Sequence, residues 1–470
     1  MKIHFIGIGG IGVSALAKYY LEKGHKISGS DLVSSEITEA LKKLGAKIYI
    51  GKHKAKNLPK DTDLVIHSLA VQPNNPELIG GHRMSTILSY PQALGELTKQ
   101  YFTIAVSGTH GKSTTTAMIG LILIKAGLDP TVIVGTKLKE FGNSNCRVGK
   151  GKYLVIEADE WQASFLNYWP KIIVLTNIEK EHLDFYKNLN HILKTYKKYI
   201  GHLPKDGVVV ANSDDFNTRK IIKDRISKGD PISLYWLNQR GTKKLKKILK
   251  ILGEYNVYNA LAALTIARVL KIPDKISLNA LSKYKGSWRR FEEKTIKLKA
   301  KSCKLISDYA HHPTEIKKTL EAAREKFPRK KIWCIFQPHQ YQRTFYLFDD
   351  FVKVFSKTLR QAQGKPLIDK LIITDIYDVV GRENKKIKKK ISARKLIKAI
   401  NKPQAIYVST IKKAADYLKK NLQGREVVII MGAGDIYKLG EQLNNFKYPS
   451  RRRRVKKRTK SSSPSFYLST

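Results

Sequence analysis

The segment Ser107-Gly108-Thr109-His110-Gly111-Lys112-Ser113-Thr114 is the part of the chain best suited to chemistry. A Gly-Lys-Ser at the start of a helix aims backbone N–H groups at phosphates. It also sets an ammonium beside the terminal phosphates and offers the Ser113 hydroxyl to Mg²⁺. The usual phosphate loop has a further glycine five residues before Gly111, where this chain has Val106. The flanks still suit the reading, because FTIAV has the pattern of a strand and TTTAMIGLILIKAG that of an apolar-faced helix. Phosphate and Mg²⁺ call for carboxylates, and Glu157 in IEADE ends the next apolar run, although a lone glutamate could equally pair with a lysine. His182 in IEKEHLDFY is ambiguous in the same way, since an isolated histidine near a strand end is more often structural than catalytic.

A second glycine cluster, Gly7, Gly9, Gly10 and Gly12 in FIGIGGIG, lies between an apolar run and a helical pattern from Ile11 to Lys23. Such glycines permit a tight turn and let amides approach a pyrophosphate at a helix N-terminus. The next strand pattern, HKISGSD, ends in Ser30 and Asp31, at the separation where an acid can meet a ribose. The pattern admits the dinucleotide of a dehydrogenase, the diphosphate of a UDP-sugar, or a plain strand-to-helix turn. The dehydrogenase reading leaves GTHGKST and DYAHHP without a role.

Positioning these groups requires alternating strands and helices, which the sequence supplies in three blocks. The first contains GAKIYIG and DTDLVIHSLAV. The second continues through YLVIEADE, KIIVLTNIE and GVVVANSDD, short apolar runs ending in polar residues, as parallel strands do when their carboxyl ends deliver side chains to a site. The third, from near Arg289, contains KLISDYA, KIWCIFQP, KLIITDIY, AIYVST and EVVIIMGAG, separated by helical patterns such as PTEIKKTLEAAREKF and SARKLIKAI. The expectation is an α/β chain of three domains: a Rossmann-like domain over 1–100, a phosphate-loop domain over 101–288 and a second Rossmann-like domain over 289–447. A basic disordered tail is expected over 448–470.

At 470 residues the chain can bury three cores, and no apolar run approaches the ~20 residues of a membrane span. The N-terminus lacks the features of a signal peptide, so a cytoplasmic location is expected. Cys146, Cys303 and Cys334 are far apart without metal-ligand spacing and are expected as free thiols. The formal charge of +49 invites a nucleic-acid reading. Most of the lysines are spread along the chain, however. Only the tail, with RRRRVKKR and no acidic residue, concentrates charge where it could contact an anionic polymer.

Taken in order, GTHGKST, EADE, TNIEKEHLD, GEYNVYNALAA, RRFE, DYAHHPTEI, FQPHQYQRT and MGAGDIY resemble the motif series of the Mur ligases, a family that joins amino acids to UDP-muramyl precursors. The resemblance covers residues 1 to about 445. GIGGIG and FQPHQYQRT are most similar to the branch that uses UDP-N-acetylmuramate and L-alanine in peptidoglycan precursor synthesis. It implies ATP and Mg²⁺ as cofactors and an acyl-phosphate route to an amide bond. Gly108 to Thr114 and Asn177 would then bind ATP, with Asn256 and Asn259 near the adenine and Asp308 at the ribose. Ser113, Glu157 and His182 would serve the metal. Tyr309, His311 and Arg343 would lie at the acceptor and muramyl carboxylate, and Lys112, His182, His311 and Arg343 would carry the chemistry. The Gly7 to Gly12 turn would hold the UDP diphosphate, with Ser30 and Asp31 near the nucleoside. Tyr255 and Gln340 depart from the family's usual histidine and arginine, which bears on base contacts and on the acceptor. The stretch between Ser213 and Gly253 is short for the family, and LRQAQGKPLIDK resembles an added loop. Two rivals follow: a sister ligase that attaches a recycled peptide or another amino acid to the same UDP-sugar, and a basic nucleic-acid-binding protein on a retired ligase fold.

Overall fold

The computed structural model describes residues 1–82, 85–227, 233–238, 242–298, 301–360, 365–379 and 383–444. The apolar runs become three sheets in chain order. The first comprises β1 (Lys2–Ile6), β2 (Lys26–Asp31), β3 (Lys47–Ile50), β4 (Leu64–His67) and β5 (Thr86–Ser89), ordered β3-β2-β1-β4-β5 and wholly parallel. β1 is central and buried from Ile3 to Ile6, so the glycine turn that follows it starts from the middle of the sheet.

The second sheet comprises β6 (Phe102–Ser107), β7 (Thr131–Leu138), β8 (Ser144–Arg147), β9 (Tyr153–Glu157), β10 (Ile172–Leu175), β11 (Val208–Asn212) and β12 (Ser233–Leu237). Its order is β12-β11-β10-β6-β9-β7-β8, with only the β7–β8 pair antiparallel. The neighbours β10, β6 and β9 therefore bring Asn177, the phosphate loop and Glu157 to one edge, as the rule for carboxyl ends of parallel strands requires.

The third sheet comprises β13 (Glu292–Leu298), β14 (Lys301–Asp308), β15 (Ile332–Phe336), β16 (Lys370–Ile373), β17 (Ala405–Tyr407) and β18 (Val427–Met431). It is ordered β13-β14-β18-β15-β16-β17 and parallel except for the β13–β14 hairpin. Asp308 is the last residue of β14 and again stands at a carboxyl end.

One apolar core runs without a break from the first sheet to one face of the second, joining Phe5 and Leu16 to Ile156 and Tyr196. The opposite face of the second sheet packs on the helices Lys112–Lys125 and Glu254–Val269, and the third sheet has its own core on each face. The first two domains are also tied by Asn145, whose Nδ2 donates to Ser14 Oγ at 3.0 Å, and by a Lys137–Glu36 ion pair at 2.6 Å.

Strands β5, β7, β8, β12 and β13 were not singled out in the sequence. Four of them lie at a sheet edge, and TILS, SNCR and EEKTIKL lack the apolar run that marks a strand buried on both faces. The region between Ser213 and Gly253 contains β12 with the helices Phe216–Ile226 and Thr242–Ile248. Residues 361–364 of LRQAQGKPLIDK and the whole 448–470 tail lie outside the described residues. All three cysteines are free and buried. No helix among the described residues is long and apolar enough to cross a membrane.

Candidate functional site

The helix Lys112–Lys125 begins directly after Gly111, whose φ of 87° is left-handed, as is the φ of 131° at Gly108. A Cβ at Gly111 would collide with Asn259 Oδ1, and one at Gly108 with Thr176 Oγ1, so both positions require glycine. Asn177 fixes the intervening loop. Its carbonyl accepts from Thr109 N at 2.9 Å, its Oδ1 accepts from His110 N at 3.0 Å, and its Nδ2 donates to the His110 carbonyl at 3.1 Å. What Asn177 binds here is the loop itself.

Lys112 Nζ donates to the Gly108 carbonyl at 2.8 Å and to Glu160 Oε2 at 2.8 Å. Burial would lower its pKa, but the carboxylates of Glu160 and Asp159 outweigh burial and raise it, so the ammonium is held charged. Ser113 and Thr114 are buried at the helix start. Glu157 closes β9, accepts from Gly135 N and shares a hydrogen bond with Ser113. Burial pushes its pKa up against the pull of these bonds. His182 sits with Asp159 and Glu160, with one ligand atom from each within 4.8 Å of the others. The residues expected at the metal therefore form two adjacent groups around Lys112: Ser113 with Glu157, and His182 with Asp159 and Glu160. Asp159 and Glu160 belong to the EADE segment, where nothing in their spacing alone marks them as site residues.

A cavity of about 550 Å³ opens between the second and third domains, lined by Gly111, Thr114, Asn256, Asn259, Arg290 and Asp308 among others. Asn256 Nδ2 donates to the Leu252 carbonyl at 2.6 Å, and its Oδ1 accepts from Asn259 Nδ2 at 3.3 Å. Tyr255 lies on the same wall. Asp308 accepts from Phe291 N and Ala310 N, each at 2.8 Å, and burial pushes its pKa up to about 6. Arg290, part of RRFE but not assigned from sequence, faces Glu315 Oε1 at 3.8 Å and packs over the Tyr309 ring.

Several polar contacts join the two domains beside this cavity. His110 Nδ1 lies 3.2 Å from Glu315 Oε1, and Thr314 Oγ1 donates to Glu179 Oε2 at 2.6 Å. Arg343 Nε pairs with Glu181 Oε1 at 2.9 Å, and both side chains are largely buried. Burial would lower the His110 pKa, but Glu179 and Glu315 raise it to about 9. His311 hydrogen bonds through Nδ1 to the Tyr309 carbonyl at 3.1 Å, and burial lowers its pKa to about 3, leaving a neutral imidazole. Gln340 shares a narrow cleft with Glu181, His182 and Arg343; of the residues expected at the acceptor, Arg343 lines it, and Tyr309 and His311 do not. Glu179, Glu181 and Glu315 escaped the sequence reading because their partners lie on another domain.

In the first domain, Gly7 N and Ile8 N donate to the Ser30 carbonyl, and Gly9 N donates to Asp31 Oδ2 at 2.8 Å. Asp31 lies against the glycine turn. The Ser30 side chain, expected near the nucleoside, is instead buried and turned inward, where its hydroxyl donates to Glu77.

Family models match almost the whole chain: "Mur ligase family, catalytic domain" over residues 2–102, "Mur ligase middle domain" over 106–267 and "Mur ligase, glutamate ligase domain" over 289–434. The UDP-N-acetylmuramate–L-alanine ligase of Acetivibrio thermocellus is 42% identical, covering 93% of this chain and 94% of its own. The enzyme of that name from Clostridium tetani is 40% identical over 94% and 97%. The crystal structure of UDP-N-acetylmuramate-alanine ligase MurC from Thermotoga maritima superposes with a TM-score of 0.75 at 29% identity, covering 94% of this chain and 98% of that one. With three matching domains in order and relatives similar from end to end, the chain belongs to the Mur ligase family.

Proposed function

We propose that this protein ligates L-alanine to UDP-N-acetylmuramate at the expense of ATP, in the cytoplasmic synthesis of peptidoglycan precursors. The observation that carries this reading is the end-to-end similarity to enzymes of that name. The geometry supports it, since the phosphate loop of one domain and Asp308 of the next line a single cavity. We divide the chain into a UDP-sugar domain over 1–100, an ATP domain over 101–288 and an acceptor domain over 289–447.

In this reading a lactyl carboxylate oxygen attacks the γ-phosphorus of ATP and ADP leaves. The amine nitrogen of L-alanine then attacks the acyl carbon, phosphate leaves and the amine gives up a proton. Lys112 and the amides of residues 108–114 spread the charge of the moving phosphoryl group. Ser113 and Glu157 present hard oxygen donors, which suit Mg²⁺, and the ion would neutralise charge on the phosphate oxygens. His182 orders Asp159 and Glu160 beside Lys112. Asn256 and Asn259 border the adenine and Asp308 accepts from the ribose, with Asn177 setting the loop. Tyr309, His311 and Arg343 shape the acceptor and muramyl-carboxylate region. The Gly7, Gly9, Gly10 and Gly12 turn with Asp31 takes the UDP portion, and Ser30 supports it from beneath.

Acceptor competition tests the reading. Given L-alanine and a short cell-wall peptide at equal concentration, the protein should yield the alanyl product, identified by mass. Preference for the peptide would assign it to the sister activity instead.

A further inference from the structure

The first domain contains a buried charge that this mechanism does not use. Glu77, in the helix Pro76–Gly81, is wholly buried, and its carboxylate receives five donors. Oε2 is met by His4 Nε2 at 3.0 Å and Ser30 Oγ at 2.6 Å. Oε1 is met by His53 Nδ1 at 3.1 Å, Asn57 Nδ2 at 2.8 Å and Lys54 N at 3.3 Å. Burial would raise the pKa of Glu77, but the bonds from His4, His53, Ser30 and Asn57 prevail and hold it well below the usual carboxylate range. A buried carboxylate with all its partners in place is rigid, whereas an apolar side chain of similar size would often stabilise a fold as well or better. Its value here is therefore sought in what it holds still.

Ser30 shows what that is. Its hydroxyl donates to Glu77 and lies 3.0 Å from His53 Nδ1, itself a partner of Glu77, and its carbonyl accepts from Gly7 N at 2.9 Å and Ile8 N at 3.0 Å. The next residue, Asp31, accepts from Gly9 N. Three consecutive amides of the glycine turn thus hang on two consecutive residues of β2, the first of which is anchored to Glu77. The helix Ile11–Glu22 starts at the end of this turn with no side-chain cap from Gly10, and the first-turn amides of a helix, which lack intrahelical acceptors, suit an anion.

We propose that Glu77 is a positioning residue for the UDP portion of the substrate: by fixing Ser30 it sets the Gly7–Gly12 turn and the Asp31 carboxylate in the geometry that receives the diphosphate and nucleoside. This rests on the UDP-sugar reading of the first domain. His4 serves as the comparison, because it bonds the same carboxylate from β1 and its other nitrogen meets Ser28 Oγ at 2.8 Å, with no direct bond to Ser30.

The test uses the full-length protein and its Ser30→Ala, Ser30→Thr, Glu77→Gln and His4→Gln variants. It measures UDP binding by calorimetry, KM for UDP-N-acetylmuramate and for ATP, kcat and melting temperature. Ser30→Ala and Glu77→Gln should weaken UDP binding and raise the UDP-sugar KM about tenfold or more, the effect of roughly one lost hydrogen bond. In both, kcat and the ATP KM should stay within about twofold, and Ser30→Thr should restore binding. His4→Gln should lower the melting temperature while changing UDP binding by less than about threefold. Unchanged UDP binding in Ser30→Ala would overturn the proposal, and so would an equal loss in His4→Gln, which would make the network merely structural. If Glu77→Gln does not fold, the Ser30 pair decides. Absence of UDP binding by the unaltered protein would instead remove the substrate reading beneath the proposal.

Discussion

Lys112 Nζ and Glu160 Oε2 lie 2.8 Å apart, an ion pair in which the carboxylate is buried and the ammonium also bonds the Gly108 carbonyl. The pair aligns the ammonium along the phosphate loop. Replacing Lys112 by methionine should lower kcat at least ~100-fold, since a charged donor to the transferring phosphoryl group is lost. It should also lower stability by leaving Glu160 buried without its partner. Adding Glu160→Gln should restore the melting temperature without restoring turnover. Recovery of activity in the double variant would remove Lys112 from the chemistry.

Gly111→Ala combines a strained left-handed residue with a collision against Asn259 Oδ1. The strain alone is worth about 1–2 kcal/mol, and the collision displaces a residue on the nucleotide wall. ATP binding, followed by calorimetry, should weaken about tenfold or more while UDP binding is unchanged. Equal weakening of both would point to general unfolding.

Asp308 gives the nucleotide site a pH dependence. Burial pushes its pKa up to about 6, so the carboxylate is ionised above that pH and protonated below it. A ribose hydroxyl donates best to the ionised form. The ATP KM should therefore rise as pH falls below about 6, with a limiting slope of about tenfold per unit for a single proton. Asp308→Asn should be weaker throughout and flat over the same range.

His110 gives the junction of the second and third domains the opposite dependence. Burial would lower its pKa, but Glu179 and Glu315 raise it to about 9, above the ~6.5 of an unfolded chain. The stabilisation is complete below about pH 6.5 and is lost as pH rises through about 9. Melting temperatures of the protein and of His110→Gln should thus differ most below about pH 6.5, and the gap should close by about pH 9.5. A constant gap would mean that the proton on His110 does not matter to the junction.

The local motifs were legible because their signal is carried within a few residues. The strand patterns around KIIVLTNIE and EVVIIMGAG, the glycines at 108 and 111 and the Gly-Lys-Ser at the helix start all express backbone requirements that a sequence displays directly. Edge strands such as β8 and β13 were not legible, because one paired side and polar composition leave no apolar run. Nor were the partners of site residues. Glu160, Glu179, Glu181 and Glu315 acquire meaning only when folding sets them against Lys112, His110 and Arg343. Ser30 shows the same limit from the other side: its position at the end of β2 was readable, while the inward turn of its hydroxyl depends on Glu77, 47 residues away.

The most direct test of the central claim is phosphate release by the purified protein with ATP and Mg²⁺, omitting UDP-N-acetylmuramate or L-alanine in turn, with the product identified by mass. Release that requires both substrates, together with UDP-N-acetylmuramoyl-L-alanine, is the predicted result. Release that is indifferent to L-alanine, or none with either substrate pair while ATP still binds, would contradict it.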